Sequence, residues 1–147
     1  MTARVLENPV TGERIEVLRA EPAALELLDV WTRPGHRAAE HVHPGMEERI
    51  EVLTGRARFR AGGRGHDLSS GDVLTIPPGS PHLGWNPTTT EVCLRLTLTP
   101  ALRWLEVVER LFAYAREGRT DERGAPERPL LAALLREFPD ELAPPPR

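Results

Sequence analysis

The period of hydrophobic and polar positions along the chain changes once, near Pro100. Before Pro100, apolar residues alternate with polar ones in short runs that are separated by turns rich in glycine and proline. Because successive side chains of a strand point to opposite faces, each alternating run predicts a strand with one buried face. A regular succession of such runs is typical of an antiparallel sandwich or barrel. Residues 1–100 are therefore predicted to form a mainly β fold.

The runs of clearest alternation give the predicted strands. Two short strands flank a turn at residues 8–13, and a hairpin connection is predicted at 61–65. In residues 91–99, the four alternate positions from Val92 to Leu98 are all apolar. The predicted strands of the β region cover residues 14–19, 25–32, 48–53, 56–60, 73–76 and 91–99.

After Pro100 the apolar residues recur at helical spacing. The first helix is predicted from Leu102 to Ala115, with Gly118 as its stop signal, and a second over residues 129–138. Residues 101–147 are thus expected to form a helical extension packed on the barrel as part of one domain, with an extended, mobile end at 143–147. The helices either cover a barrel face or sheet edge, or wall a pocket mouth or pair two subunits.

Composition narrows the class of protein. The 147 residues suffice for one domain with a sizeable core, and a net charge of -3 argues against a nucleic-acid-binding surface. No apolar run is long enough to span a membrane, the N-terminus lacks the apolar core of a signal peptide, and the lone Cys93 cannot form an internal disulfide. These features favour a cytoplasmic protein without membrane or nucleic-acid partners. All 19 basic residues are arginine, which excludes Schiff-base chemistry by a lysine.

Four residues carry the candidate chemistry: His41, His43, Glu48 and His82. Alternation puts His41 and His43 on the same side of the chain, and Glu48 on the core face of its strand, where a carboxylate needs a partner. Three imidazoles and one carboxylate suit a divalent transition metal such as Fe, Mn, Co, Ni, Cu or Zn better than Ca or Mg. These four residues are predicted to bind one such ion.

Two spaced motifs in this region resemble those of the cupin superfamily. The first comprises Gly35, His41, His43, Glu48 and Gly55, and the second comprises Gly71, Pro77, Gly79, His82 and Asn86. The resemblance implies an antiparallel double-stranded β-helix, or jelly-roll barrel, that holds one metal near its axis. It does not imply a reaction, because cupins include enzymes of several kinds and non-catalytic binders.

Glu48, rather than Glu47, is the predicted carboxylate ligand. Six residues separate Glu48 from Gly55, as in the first cupin motif, whereas seven separate Glu47 from it. Alternation agrees, because Glu48 shares the face of Ile50 and Val52.

Three functions remain open on the sequence alone. The first is a metal-dependent, dioxygenase-like oxygenase acting on a small organic molecule, with Glu48 also available as a catalytic base. The second is a metal-dependent isomerase or lyase of a sugar or oxo-acid. The third is a non-catalytic, small-molecule-binding or metal-stabilised protein. A homodimer is expected because barrels of this resemblance commonly pair.

Six other residues near the motifs have expected places as well. His36, His66 and Glu47 are expected at the surface, while Trp85 is expected either to wall the pocket or to cap the core. Met46 and Arg95 are further candidates for the cavity.

Overall fold

The computed structural model describes residues 4–147, and residues 1–3 lie outside the description. Within that range the chain forms nine strands followed by two helices. The strands are β1 (Arg4–Glu7), β2 (Glu13–Glu21), β3 (Ala24–Trp31), β4 (Glu47–Thr54), β5 (Arg56–Ala61), β6 (Arg64–Ser69), β7 (Val73–Ile76), β8 (His82–Trp85) and β9 (Val92–Thr99). The helices are α1 (Trp104–Arg116) and α2 (Arg128–Glu137).

The strands form two antiparallel sheets. A six-stranded sheet has the order β1-β2-β3-β9-β4-β7, and a three-stranded sheet has the order β6-β5-β8. The order confirms the predicted antiparallel jelly roll. In this order β9 lies between β3 and β4, although it is distant from both in sequence. Its residue Leu98 pairs with the candidate ligand Glu48 of β4.

The core lies between the two sheets and follows the predicted alternation. On β9 the side chains of Val92, Leu94, Leu96 and Leu98 are all buried, and Phe59 of β5 packs in the same core from the opposite sheet. Full burial of one such aliphatic side chain stabilises the fold by about 1.5–3 kcal/mol.

The helical extension shares this core. In α1, Val108 and Phe112 join the barrel core, whereas Val107 packs against Leu134 of α2 and against Phe138. Gly118 has a φ of 73°, far from the helical value, which lets the chain leave the helix after Arg116 in a left-handed conformation. Neither helix is long and apolar enough to cross a membrane within the described residues.

The segment after α2 is docked against the barrel. Ala143 and Val42 exchange two backbone hydrogen bonds of 2.9 and 3.0 Å, and the Gly45 N–H donates to the Asp140 carbonyl at 2.8 Å. A mobile end was expected from residue 143 onwards, but Ala143 itself is paired. Sequence periodicity does not report a pairing between residues this far apart in the chain.

The packing of α1 also bears on self-association. Its apolar side chains face the barrel and α2, so they offer little free surface to a second copy. The large apolar side chains left exposed among the described residues are Val5, Leu18, Val73 and Leu102. Val5 and Leu18 lie on the neighbouring strands β1 and β2 at one edge of the larger sheet.

Candidate metal centre

Two segments of the chain bring the four predicted ligands together. His41 and His43 lie in the stretch before β4, Glu48 lies on β4, and His82 is the first residue of β8. His41 and His82 exchange two backbone hydrogen bonds, each of 3.0 Å, which join the two segments directly. We refer to His41, His43, Glu48 and His82 as the His/Glu cluster.

The cluster is compact and largely buried. One ligand atom from each residue lies within 4.8 Å of the others, and only His41 is partly exposed. Oε2 of Glu48 is 3.1 Å from Nε2 of His43 and also 3.1 Å from Nε2 of His82. The donor atoms therefore converge on one small volume at the barrel interior, as a single ion would require.

Backbone carbonyls fix the orientation of all three imidazoles. Nδ1 of His41 lies 2.8 Å from the Ala39 oxygen, and Nδ1 of His82 lies 2.9 Å from the Ser80 oxygen. Nδ1 of His43 lies 2.8 Å from the oxygen of Glu141. Because a carbonyl oxygen can only accept, each Nδ1 carries a proton in these contacts. The Nε2 lone pairs are thereby left for a metal, the arrangement that metal-binding histidines usually show.

One buried atom tests whether a cation fits this cluster. Nε2 of His82 has no hydrogen-bond partner among the described residues, although Oε2 of Glu48 is only 3.1 Å away. The contact is close enough but not directed as a hydrogen bond. An unsatisfied buried nitrogen is costly, and coordination to a cation would satisfy it. The residues present thus fit a divalent transition metal.

The charges in the cluster shift its pKa values in opposite directions. Burial opposes ionisation of Glu48, but its close contacts with His43 and His82 outweigh burial and hold the pKa of Glu48 below its ordinary value. Burial and the two neighbouring histidines lower the pKa of His41 to about 4. Burial also acts to lower the pKa of His82, but its contact with Glu48 prevails and raises it. The free cluster therefore holds an ionised carboxylate between imidazoles.

The structure separates the two neighbouring glutamates as their spacing predicts. Glu48 is buried in the cluster and Glu47 is exposed. Met46, just before β4, has a fully buried side chain in the hydrophobic core. Arg95 lies on the outer side of β9, where it pairs with Glu26 at 3.6 Å.

The remaining residues singled out from the sequence lie outside the cluster. His36 is half-buried rather than at the surface, because its ring packs against Trp31 with 5.1 Å between centroids, and burial lowers its pKa. His66 lies on β6, paired with Phe59. Trp85 is the last residue of β8, and the guanidinium of Arg37 lies over its ring, 5.4 Å from the ring centre.

Two residues of the extension also touch the cluster, and sequence reasoning missed both. The ring of Trp104, the first residue of α1, meets His43 edge-on at 4.5 Å and lies parallel to His41 at 6.4 Å. The Glu141 carbonyl accepts from His43, while its buried side chain accepts from the Arg103 N–H at 3.0 Å. Glu141 thus hydrogen-bonds both to the imidazole of His43 and to the backbone just before α1. The only local sequence signal for these contacts was an aromatic residue, Trp104, at the start of a helix.

A further buried acid, Asp29, also escaped the sequence interpretation. It follows Leu25 and Leu27 on the inward face of β3, and its Oδ2 accepts from Nε1 of Trp31 at 3.2 Å. Its Oδ1 has no partner among the described residues. Burial and the nearby Glu13 raise the pKa of Asp29 well above its ordinary value. The available signal was an acidic residue at one of the inward-facing positions of β3, which are otherwise apolar.

Comparison with known proteins agrees with this architecture. The family model described as a cupin domain matches residues 30–99, which contain both motifs and the whole cluster. The family model thus identifies residues 30–99 as a cupin domain. No curated protein matches it by sequence.

Solved structures share the fold at low sequence identity. An RmlC-like cupin from Shewanella frigidimarina is 21% identical, with a TM-score of 0.61 over 69% of this chain and 86% of that one. A predicted oxalate decarboxylase from Thermotoga maritima is 22% identical, with a TM-score of 0.56 over 68% and 93% of the two chains. KdgF from Halomonas sp. is 17% identical, with a TM-score of 0.57 over 67% and 86%. At these identities the likeness extends to the fold alone.

Proposed function

We propose that the His/Glu cluster binds one divalent transition metal and that the protein uses it as an oxygenase of a small organic molecule. The observation that carries the proposal is the convergence of three Nε2 atoms and one carboxylate oxygen, each imidazole held by a backbone carbonyl. Such a donor set suits Fe, Mn, Ni, Cu or Zn. A bound ion would supply a Lewis acid and, if it is redox-active, a source of electrons for O2.

Four protein ligands leave room for a reactant at a five- or six-coordinate ion. A dioxygenase reaction transfers both atoms of O2 to the organic substrate, so it balances without an external reductant. The protein's own part is to fix the donors and to limit water. Three of the four ligands are buried, and the indole of Trp104 shields His43 and His41. Exclusion of water strengthens the electrostatic interactions at the centre.

The pKa of Glu48 favours the ligand role over the role of a catalytic base. A general base works best when its pKa lies near the working pH. The close contacts with His43 and His82 instead hold the pKa of Glu48 below its ordinary value, so the carboxylate is a weak proton acceptor. We therefore propose Glu48 first as a ligand, and as a base only when a contact to an imidazole is released.

Metal analysis provides the first test. Protein purified without added metal should contain about one Fe, Mn, Ni or Cu per chain, measured by inductively coupled plasma mass spectrometry. Protein that holds such a metal should then consume O2 with a substrate from a panel of small organic acids, phenols and thiols. Zinc as the sole metal, with no redox metal accepted on reconstitution, would exclude the oxygenase. The isomerase or lyase would then be the function to test.

A matched pair of variants controls the assignment. Glu48→Gln should lose both metal and O2 consumption, whereas Glu47→Gln, which changes the adjacent exposed carboxylate, should keep both. Absence of any bound metal in the wild-type protein, even after reconstitution, would instead support the non-catalytic binder.

A further inference from the structure

A surface cavity of about 400 Å³ lies apart from the His/Glu cluster. None of the four cluster residues lines it, and its volume is in the range of small-molecule sites. Its walls come from the β1–β2 turn, the loop after β3, the end of β8 and the loop between the two helices. We call it the arginine cavity; the residues that matter here are Arg33, His36, Arg37, Trp85, Glu122 and Arg123.

The charge of this cavity is opposite in sign to that of the chain. Three guanidinium groups and one carboxylate line it, while the whole protein carries a net charge of -3. Among residues 4–147, none of Arg33, Arg37 and Arg123 forms an ion pair, whereas eight other arginines do. Positive charge is therefore in excess here, and Glu122, the carboxylate of the lining, forms no ion pair with these arginines among the described residues.

Two of the guanidinium groups are held in place by neutral partners. The guanidinium of Arg37 lies over the ring of Trp85, 5.4 Å from its centre, and Arg33 donates to the carbonyl of Val10. Stacking on an indole restrains an arginine without using its N–H donors. Both side chains thus keep donors for an anion in a restrained geometry, which reduces the entropy lost on binding.

The backbone around the cavity is also restrained. Asn86, just after β8, accepts from the Gly35 N–H at 3.1 Å and donates to the His36 carbonyl at 2.8 Å. On the opposite wall, a Cβ added at Gly124 would lie 2.9 Å from Cγ2 of Thr11, so the loop between the helices packs directly on the β1–β2 turn. The cavity is therefore formed before any ligand arrives.

We propose that the arginine cavity is a second binding site, which takes a small molecule bearing a carboxylate or phosphate group. Charge-assisted hydrogen bonds from Arg37 and Arg123 would hold the oxygens, and planar guanidinium groups match the geometry of both anions. The half-buried ring of His36 offers one further polar contact at the cavity wall. This site is independent of the metal and of the reaction proposed above.

The test uses the full-length protein with inorganic phosphate and with succinate, titrated separately by isothermal calorimetry. At least one anion should bind saturably with a Kd on the order of 1 mM or lower, and more weakly as salt is raised. Arg37→Gln and Arg123→Gln should each weaken binding by about tenfold or more, the effect of losing a hydrogen bond between charged partners. The comparison of the two anions distinguishes phosphate from carboxylate chemistry.

Arg64→Gln is the matched control, because Arg64 is exposed, forms no ion pair among the described residues and lies outside the cavity. It should leave the affinity unchanged. Metal content, measured on every variant, should also be unchanged, which separates this site from the cluster. Lack of saturable binding by both anions, or equal weakening by Arg64→Gln and Arg37→Gln, would overturn the proposal. Circular dichroism confirms that each variant is folded, and Arg123→Gln provides an independent measurement on a different loop.

Discussion

Nδ1 of His43 donates to the backbone carbonyl of Glu141, 2.8 Å away and 98 residues further along the chain. This hydrogen bond joins the helical extension to the proposed metal centre. The extension is therefore more than a cover on the barrel, because it sets the orientation of an imidazole in the cluster. Partners of this kind raise the basicity of a metal-binding histidine and fix its tautomer.

Deletion of residues 138–147 should lower the affinity for metal by about 10- to 100-fold, the usual effect of losing a partner that orients a ligand. Ala143→Pro is a milder change, which removes the N–H that donates to Val42 at 2.9 Å but keeps the segment, and should give a smaller loss. Competition with a chromophoric chelator measures the affinity.

Deletion of residues 144–147 is the control for this experiment, since it keeps the Glu141 carbonyl and the Ala143 pairing. It should leave the affinity unchanged. If the longer deletion folds, as judged by circular dichroism, and still binds metal as tightly as the intact chain, the role assigned to the segment is wrong.

Glu48→Gln should reduce metal occupancy by at least about tenfold, because it replaces the only carboxylate of the cluster by a neutral amide. Glu47→Gln, on the exposed face of the same strand, should have little effect. Metal per chain after dialysis against a weak chelator is the measurement. A larger loss in Glu47→Gln would mean that the strand register is displaced by one residue.

Metal affinity should fall as the pH is lowered through the pKa of His82. In the metal-free protein, contact with Glu48 raises that pKa above 6.5 despite the opposing effect of burial, so a proton competes with metal near neutral pH. His41, with a pKa of about 4, competes only in stronger acid. The affinity should drop about tenfold per pH unit in the first step, as expected for displacement of one proton.

The Glu48→Gln variant, loaded at high metal concentration, should show that first step at lower pH, because the neutral amide no longer stabilises the His82 cation. Chelator competition between pH 5 and 8 would measure both proteins. An affinity that is independent of pH over this interval would contradict the proposed coordination by His82.

Asp29→Asn should stabilise the protein at neutral and alkaline pH. Burial and then Glu13 raise the pKa of Asp29 above its ordinary value of 3.8, so the folded state holds the proton more tightly than the unfolded state. The associated stability is present below pH 3.8 and is lost as the pH rises through the raised pKa. The free energy of unfolding of the variant should exceed that of the wild type by about 1–3 kcal/mol at pH 8.

Urea denaturation at a series of pH values would measure this difference. Asp140→Asn, a change of an exposed carboxylate, should leave the pH dependence unchanged. Equal pH dependence in the wild type and Asp29→Asn would show that the buried acid remains ionised.

The protein should sediment as a dimer at micromolar concentration. The apolar face of α1 is already buried against the barrel and α2. The sheet edge formed by β1 and β2, where Leu18 is exposed, is therefore the more suitable surface for dimer contacts. Leu18→Asp should shift the equilibrium towards the 16.4 kDa monomer, whereas Val73→Asp, on the opposite edge strand β7, should not. A single 16.4 kDa species in the wild type would contradict the dimer.

The sequence predicts the barrel and the composition of the cluster well because both depend on short-range order. Alternation over a few residues assigns the inward face of β9, and two local motifs bring His41, His43, Glu48 and His82 to one place. The same alternation distinguishes Glu48 from its neighbour.

The surroundings of the cluster depend on contacts that local patterns cannot encode. Trp104 and Glu141 reach His43 only because the extension folds back over the barrel, and no spacing rule links them to the motifs. The arginine cavity likewise combines Arg33 and Arg37 with Arg123 from a distant loop. Helical periodicity predicts that α1 and α2 exist, but not the barrel face on which they pack.

The hydrogen bond between His43 and Glu141 also imposes an order on biosynthesis. All four cluster residues leave the ribosome before Glu141 does, so a growing chain can gather its ligands while one imidazole still lacks its orienting carbonyl. A metal centre completed in this order would reach its full affinity only after α2 has been made and the following segment has docked.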